Sequence, residues 1–196
     1  MNTPQIIVLS GPSGVGKDTV IHKLRLLNYH RHFVVTATTR QPRADEENGV
    51  AYHFLTENEF QKMLQDGEFI EWAKVYNNWY GVPKQEVKQG LLDDKDVIIK
   101  VDIQGATAIK ILIPQAVLIF ITSPSHEELL RRLNERGTES DTELRLRIEK
   151  AKEELDSLSL FDHIVVNHKN QVESTVSEIN TIIELEKTKR RAEIIL

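Results

Sequence analysis

Residues 5–20 read Gln-Ile-Ile-Val-Leu-Ser-Gly-Pro-Ser-Gly-Val-Gly-Lys-Asp-Thr-Val, and this stretch decides the fold. Ile6 to Leu9 is a short apolar run rich in β-branched residues, the pattern of a strand buried on both faces. Gly11 to Lys17 then fits the spacing GxxxxGK, and Val20, Leu24 and Leu27 follow at helical intervals. A strand, a glycine-rich loop and a helix in that order make a phosphate cradle. The glycines let the backbone curl so that successive N–H groups point inward, and the helix N-terminus adds positive potential. Ser13, Gly14, Val15, Gly16 and Lys17 are therefore expected around a nucleotide triphosphate, with Lys17 reaching its outer phosphates. Position 18 is irregular. The hydroxyl that usually follows the lysine and holds Mg²⁺ is displaced to Thr19, and Asp18 stands in its place. A carboxylate beside a triphosphate is repelled unless a cation lies between them. Asp18 is accordingly the candidate ligand for Mg²⁺ or for a monovalent cation such as K⁺.

Outward from the loop, Val97–Val101 and Val117–Ile121 repeat the buried-strand pattern, and Ile164–Val166 is a shorter fourth run. Between them lie helical patterns whose start signals, Thr56 with Glu59 and Ser125 with Glu128, fit capping boxes. Strands alternating with helices predict an α/β fold with a mainly parallel sheet. Residues 34–82 hold short strand-like pieces and most of the aromatics, which predicts a small insertion beside the sheet, with Trp72 and Trp79 packing it. Residues 126–155 are charged and helical, broken near Arg136-Gly137-Thr138. Lys187, Lys189, Arg190 and Arg191 read as a solvated helix end.

Composition narrows the chemistry. The 196 residues include 25 Lys+Arg and 30 Asp+Glu, a formal charge of −5, which argues against a general nucleic-acid binder. With no cysteine, disulfides, thiolate zinc sites and cysteine nucleophiles are excluded. The seven histidines show no metal-ligand spacing and read as structural or exposed. No signal peptide and no membrane-length apolar run is seen, so a cytoplasmic protein without membrane partner is expected, either monomeric or homodimeric.

Further motifs follow in order: Thr38-Thr39-Arg40-Gln41-Pro42-Arg43, Asn48-Gly49 with Tyr52, Phe69-Ile70-Glu71-Trp72-Ala73, Tyr80-Gly81 and Val101-Asp102-Ile103-Gln104-Gly105. Together with the phosphate loop they resemble the guanylate kinase family, over essentially the whole chain as far as Asn167. The resemblance implies ATP + GMP → ADP + GDP on a P-loop scaffold of three layers with a small mixed-β GMP-binding insertion and a helical lid. It divides the chain into a core (1–33, 93–125 and 156–196), the insertion (34–92) and the lid (126–155). It assigns Arg40 and Arg43 to the GMP phosphate, which a guanidinium fork grips bidentately. Tyr52 and Tyr80, followed by Gly81, resemble the family's phosphate-contacting segment. Glu71 resembles the guanine selector, since a carboxylate accepts from both the ring N–H and the exocyclic amine. Thr36 and Asp102 fall where the family makes further nucleoside contacts. On the donor side Arg136 and Arg147 match the lid arginines at the transferring group, Arg132 the arginine packed by adenine, and Asn167 the residue at the adenine edge. Lys17, Arg40, Arg136 and Arg147 are the cations such a reaction requires, because phosphoryl transfer asks for positioning and charge stabilisation.

Three positions depart from the family. Besides Asp18, Lys100 stands at the strand end where an acid is usual, and Val82 replaces a Ser or Thr that contacts guanine. The strand end lies beside the loop in a P-loop fold, so an Asp18–Lys100 ion pair is expected. Val82 removes one hydrogen bond, worth about 0.5–1.5 kcal/mol. Two rivals share features with this chain: ribose 1,5-bisphosphate phosphokinase, with a similar GKD loop and Tyr-Gly-Val, and the non-catalytic guanylate-kinase-like phosphopeptide-binding module. Arg43, Tyr52 and Glu71 weigh against the first, and Lys17 with the lid arginines against the second.

Overall fold

The structure, a computed structural model, describes residues 3–27, 30–75, 77–135 and 158–189. Its main sheet has the strand order β2 (Arg31–Phe33), β7 (Asp96–Lys100), β1 (Ile6–Ser10), β8 (Val117–Thr122) and β9 (His163–Val166). Every neighbouring pair is parallel. The residues of β1 explain its uninterrupted apolar run, because both faces are covered. Ile7 and Leu9 join a cluster with Val20 and Leu24 of α1 (Lys17–Leu26) and with Val176, Ile179 and Ile183 of a C-terminal helix, Val172–Lys187. Ile6 and Val8 join Val87 of α3 (Lys84–Leu92) and Ile103, Ala106 and Ile109 of α4 (Ile103–Leu112) on the other face. Helix, sheet and helix form the three expected layers. The four residues Ile6 to Leu9 are each 0% exposed, and burial of side chains this size stabilises by about 1.5–3 kcal/mol apiece.

A second, mixed sheet of order β4 (His53–Phe54), β3 (Ala37–Thr38), β6 (Asn78–Pro83) and β5 (Phe69–Val75) stands beside it. Its small core is Ala37, Phe60 and Phe69, with Trp79 packed on it; the Phe60 and Phe69 rings stack at 4.5 Å. Trp72 lies 5.4 Å from Trp79 but is half exposed, so only Trp79 packs as expected. The helix α2 (Glu57–Gln65) closes this sheet, and the Thr56–Glu59 capping box is complete in both directions.

Local expectations fail where distant partners intervene. Ser125 does accept from Glu128 N (3.2 Å) at the start of α5 (His126–Glu135), but the Glu128 carboxylate turns to Arg131 and Arg132, so the reciprocal half of that box is missing. Leu27 is the C-cap of α1 and is exposed, and Ile164 is half exposed because β9 is a sheet edge. The end of the C-terminal helix, α6, is not simply solvated. Lys187 reaches buried Asp96 (2.8 Å), and Lys189 reaches Glu186 (2.6 Å), which is 1% exposed and also bonded to His163 (2.6 Å). Arg190 and Arg191 lie outside the described residues. His32 and His53 share Glu86, at 3.2 and 3.3 Å, so three of the seven histidines are structural.

Candidate active site

The topology gathers chemistry at the carboxyl ends of the parallel strands, where open α/β sheets bind ligands. Leu9 and Lys100 are register partners, so the glycine loop leaving β1 and the end of β7 stand side by side. Gly11 shows why the loop needs glycine: its φ is +145°, and a Cβ there would lie 2.0 Å from the Ile121 carbonyl oxygen of β8. Lys17, the first residue of α1, folds its ammonium onto the loop, donating to the carbonyls of Gly11 and Pro12 (the latter at 2.9 Å).

The loop is braced from the far side. Asn167, 6% exposed, donates to the Val15 carbonyl (2.7 Å) and accepts from Thr175 (3.0 Å). Arg132 donates to the Asn167 carbonyl (3.0 Å) and the Val15 carbonyl (3.5 Å), and Glu128 holds it at 2.8 Å. Both expected donor-side residues therefore meet at Val15, where they fasten α5 and β9 to the loop. Arg136 and Arg147 lie outside the described residues.

Lys100 meets Asp18 as its substitution implied. The ammonium donates to Asp18 Oδ1 at 2.6 Å, its own side chain 17% exposed and that of Asp18 64%. Lys100 also lies 4.4 Å from the centroid of the Tyr52 ring. Burial would lower the ammonium's pKa, but Tyr52 and Asp18 outweigh it and leave the pKa raised.

Most of the residues expected on the acceptor side lie in the second sheet and its loops. Arg40, in the loop after β3, stacks its guanidinium on Tyr52 (5.5 Å to the centroid) and Phe54 (5.7 Å). Tyr80 on β6 lies 6.1 Å from Tyr52, edge to face. Glu46, which the sequence reading passed over, fills the space between the arginines: it accepts from Arg40 Nη2 and the Arg43 backbone N–H, both at 2.8 Å, and lies 3.7 Å from Arg43 Nη1. Partial burial would raise the Glu46 carboxyl, and the two arginines hold it below the ordinary range. The only signal for it was an acid three residues past Arg43 in a loop.

Glu71 and Asp102 form the other half. Glu71, on β5, is 7% exposed, and its Oε2 makes no hydrogen bond. Asp102 is the N-cap of α4 and accepts from Gly105 N at 3.0 Å. A Cβ on Gly105 would lie 2.9–3.0 Å from the Glu71 carboxyl atoms, so the absent side chain is what admits that carboxyl against the helix. Burial, then the nearby Asp102 charge, pushes Glu71 up from its ordinary 4.5 to about 8. A buried carboxyl with an idle oxygen is a polar group waiting for a donor. Val82, its partner across the β5–β6 ladder, is fully buried in the main core, and Gly81 packs beneath the Phe69 ring. Thr36, 5% exposed, gives its carbonyl to His53 N at 2.9 Å.

No metal-binding group of three or more His, Cys, Asp or Glu exists among the described residues, and no described helix is long and apolar enough to cross a membrane. The guanylate kinase family model matches residues 3–186. A guanylate kinase of Caldanaerobacter subterraneus subsp. tengcongensis is 44% identical over 182 residues, 93% of this chain and 87% of that one. One from Shouchella clausii is 42% identical over 185 residues, covering 94% and 89%. The crystal structure of guanylate kinase from Anaplasma phagocytophilum superposes with a TM-score of 0.79 at 29% identity, over 96% of this chain and 89% of that one. The family model and these relatives agree over nearly the whole chain, and the chain belongs to the guanylate kinase family.

Proposed function

We infer that this protein is an ATP:GMP phosphotransferase, moving the γ-phosphoryl group of ATP reversibly to GMP or dGMP in purine nucleotide metabolism. The observation that supports this most is the pairing of Glu71, buried on β5 with an idle oxygen, with Arg40 and Arg43 in the loop that follows β3 of the same small sheet, a region that Lys100 joins through Tyr52 to Asp18 beside the phosphate loop. On this reading guanine donates its ring N–H and exocyclic amine to Glu71, with Asp102 and Thr36 nearby; adenine offers no such pair. Arg40 and Arg43 exchange Glu46 for the GMP phosphate, and Tyr52 and Tyr80 complete its binding.

In the transfer an oxygen of the GMP phosphate bonds to the γ-phosphorus while the bond to the bridging oxygen breaks, and ADP carries that oxygen away. The nucleophile is already ionised near neutral pH, so no general base is needed. Lys17 leaves its loop carbonyls for the outer phosphates, and Arg136 and Arg147 of the 126–155 lid bring further positive charge. Arg132 flanks the adenine side, and Asn167 holds the loop to which it binds.

Chemistry in this family is ATP-dependent and generally requires Mg²⁺, which arrives with the nucleotide. Exposed Asp18 and Thr19 offer oxygen atoms at the loop, a donor set that fits an ion held mainly by phosphates and water. Bound there, it would neutralise charge between the phosphates. We place the enzyme in the cytoplasm as a monomer or homodimer acting on small nucleotides, with neither nucleic acid nor membrane as partner.

A coupled ADP-release assay with GMP, dGMP, AMP and ribose 1,5-bisphosphate tests the reading. Turnover on GMP and dGMP, and little on AMP, is expected. Turnover on the sugar alone, or on nothing, contradicts it.

A further inference from the structure

Lys100 stands where two otherwise separate sets of side chains meet. Its ammonium is 2.6 Å from Asp18 Oδ1, and Asp18 directly follows the loop lysine on α1. The same ammonium is 4.4 Å from the centroid of Tyr52, whose ring also carries the Arg40 guanidinium at 5.5 Å. One cation thus touches a neighbour of the donor loop and a member of the acceptor clamp. The first contact is a charge-assisted hydrogen bond to a carboxylate that is itself 64% exposed, and the second a cation–π contact made by a side chain only 17% exposed. An acid at this strand end, in the form usual elsewhere, could make neither contact.

We propose that Lys100 is a positioning residue that couples the two substrate sites, setting Asp18 at the mouth of the donor loop and Tyr52 in the acceptor clamp through a single ammonium. A triphosphate entering the loop changes the charge beside Asp18 and hence the pull on Lys100. Lys100 then changes its hold on Tyr52 and the arginine stacked there. Coupling of this kind is reciprocal: whatever GMP does to the ATP site, ATP does equally to the GMP site. The burial of Lys100 agrees with this chain of contacts, since Tyr52 and Asp18 together outweigh the desolvation that burial imposes on the ammonium. The inference rests on the assignment of donor and acceptor sides made above.

The test measures binding rather than turnover. Affinities for MgATP and for GMP are determined separately, by calorimetry on the full chain, for the parent and for Asp18→Asn, Tyr52→Leu, Lys100→Met and Lys100→Arg, alone and combined. In the parent, Asp18→Asn is expected to shift GMP affinity and Tyr52→Leu to shift MgATP affinity, each by about threefold to tenfold, the size usual for side chains coupled through a shared partner. Both cross-site effects should vanish in the Lys100→Met background and return with Lys100→Arg. Thermal melts accompany each variant, and Lys100→Gln replaces Lys100→Met if the latter does not fold. Cross-site effects that are absent in the parent, or that persist unchanged without Lys100, overturn the proposal. If the parent binds MgATP but no GMP, the assigned reaction falls, while the Tyr52→Leu effect on MgATP still decides the coupling.

Discussion

Two carboxylates in this molecule, Glu71 and Asp18, show how the same functional group is handled in opposite ways. Glu71 is 7% exposed, has an oxygen without a partner, and faces a second acid, Asp102. Asp18 is 64% exposed and tied to an ammonium at 2.6 Å. On the proposed reading the first becomes a recognition element by exclusion of water: its proton stands in until donors of matching geometry arrive. The second follows the glycine loop directly, where the same reading puts a triphosphate, and Lys100 neutralises its charge in advance. Recognition of an uncharged base favours a dry, unsatisfied acid, and accommodation of polyphosphate favours a paired one.

The largest expected effect lies on the donor side of that comparison. Gly11→Ala would drive a Cβ to 2.0 Å from the Ile121 carbonyl oxygen at a φ of +145°, which should cost about 3 kcal/mol or more and shift the denaturant midpoint accordingly. On the acceptor side, Glu71→Gln should lower kcat/KM for GMP roughly a hundredfold, because one acceptor oxygen becomes a donor facing guanine's donors. The KM for ATP should hold within about twofold. Steady-state kinetics with each substrate varied separates the two sites.

Gly105→Ala sharpens the same contrast at smaller scale. Alanine favours helix by about 0.5–1 kcal/mol over glycine, yet its Cβ would press within 2.9–3.0 Å of the Glu71 carboxyl. A near-parental melting temperature with about tenfold weaker GMP binding is the expected outcome, measured by calorimetry. The smallest effect is expected from the salt. Because Lys100 already supplies a monovalent charge at Asp18, initial rates at fixed Mg²⁺ should agree in Na⁺, K⁺ and Tris buffers. A K⁺-specific activation would show that Asp18 collects a metal ion as well.

Much of this was legible in the sequence wherever the information was local or periodic. The β1 run, the glycine loop and the Thr56–Glu59 box each carry their own geometry within a few residues. The Asp18–Lys100 pair, 82 positions apart, was legible because each residue sits at a fixed place relative to the loop, and both depart from the expected chemistry there. Glu46 was not legible, since an acid in a polar loop looks solvated until the fold brings Arg40 back onto it. Lys187 and Lys189 misled for the mirror-image reason: their partners Asp96 and Glu186 are buried, and Asp96 is remote in sequence. The second capping box failed because Arg131 and Arg132 outbid a backbone N–H for Glu128.

The pH behaviour follows from Glu71. Its folded-state pKa of about 8 lies above the ordinary 4.5, so the free protein holds the extra proton between those values. Its contribution to stability is therefore present below pH 4.5 and is lost as the pH rises towards 8. On the proposed reading guanine binds the ionised form, so GMP affinity should rise with pH up to about 8. The most direct measurement is the proton count on binding: titration calorimetry of GMP at pH 7 in buffers of different ionisation enthalpy, with Glu71→Gln as control. Release of close to one proton per GMP, lost in the variant, is the predicted result. Binding of equal strength with no Glu71-dependent release would contradict the claim that this buried acid selects guanine.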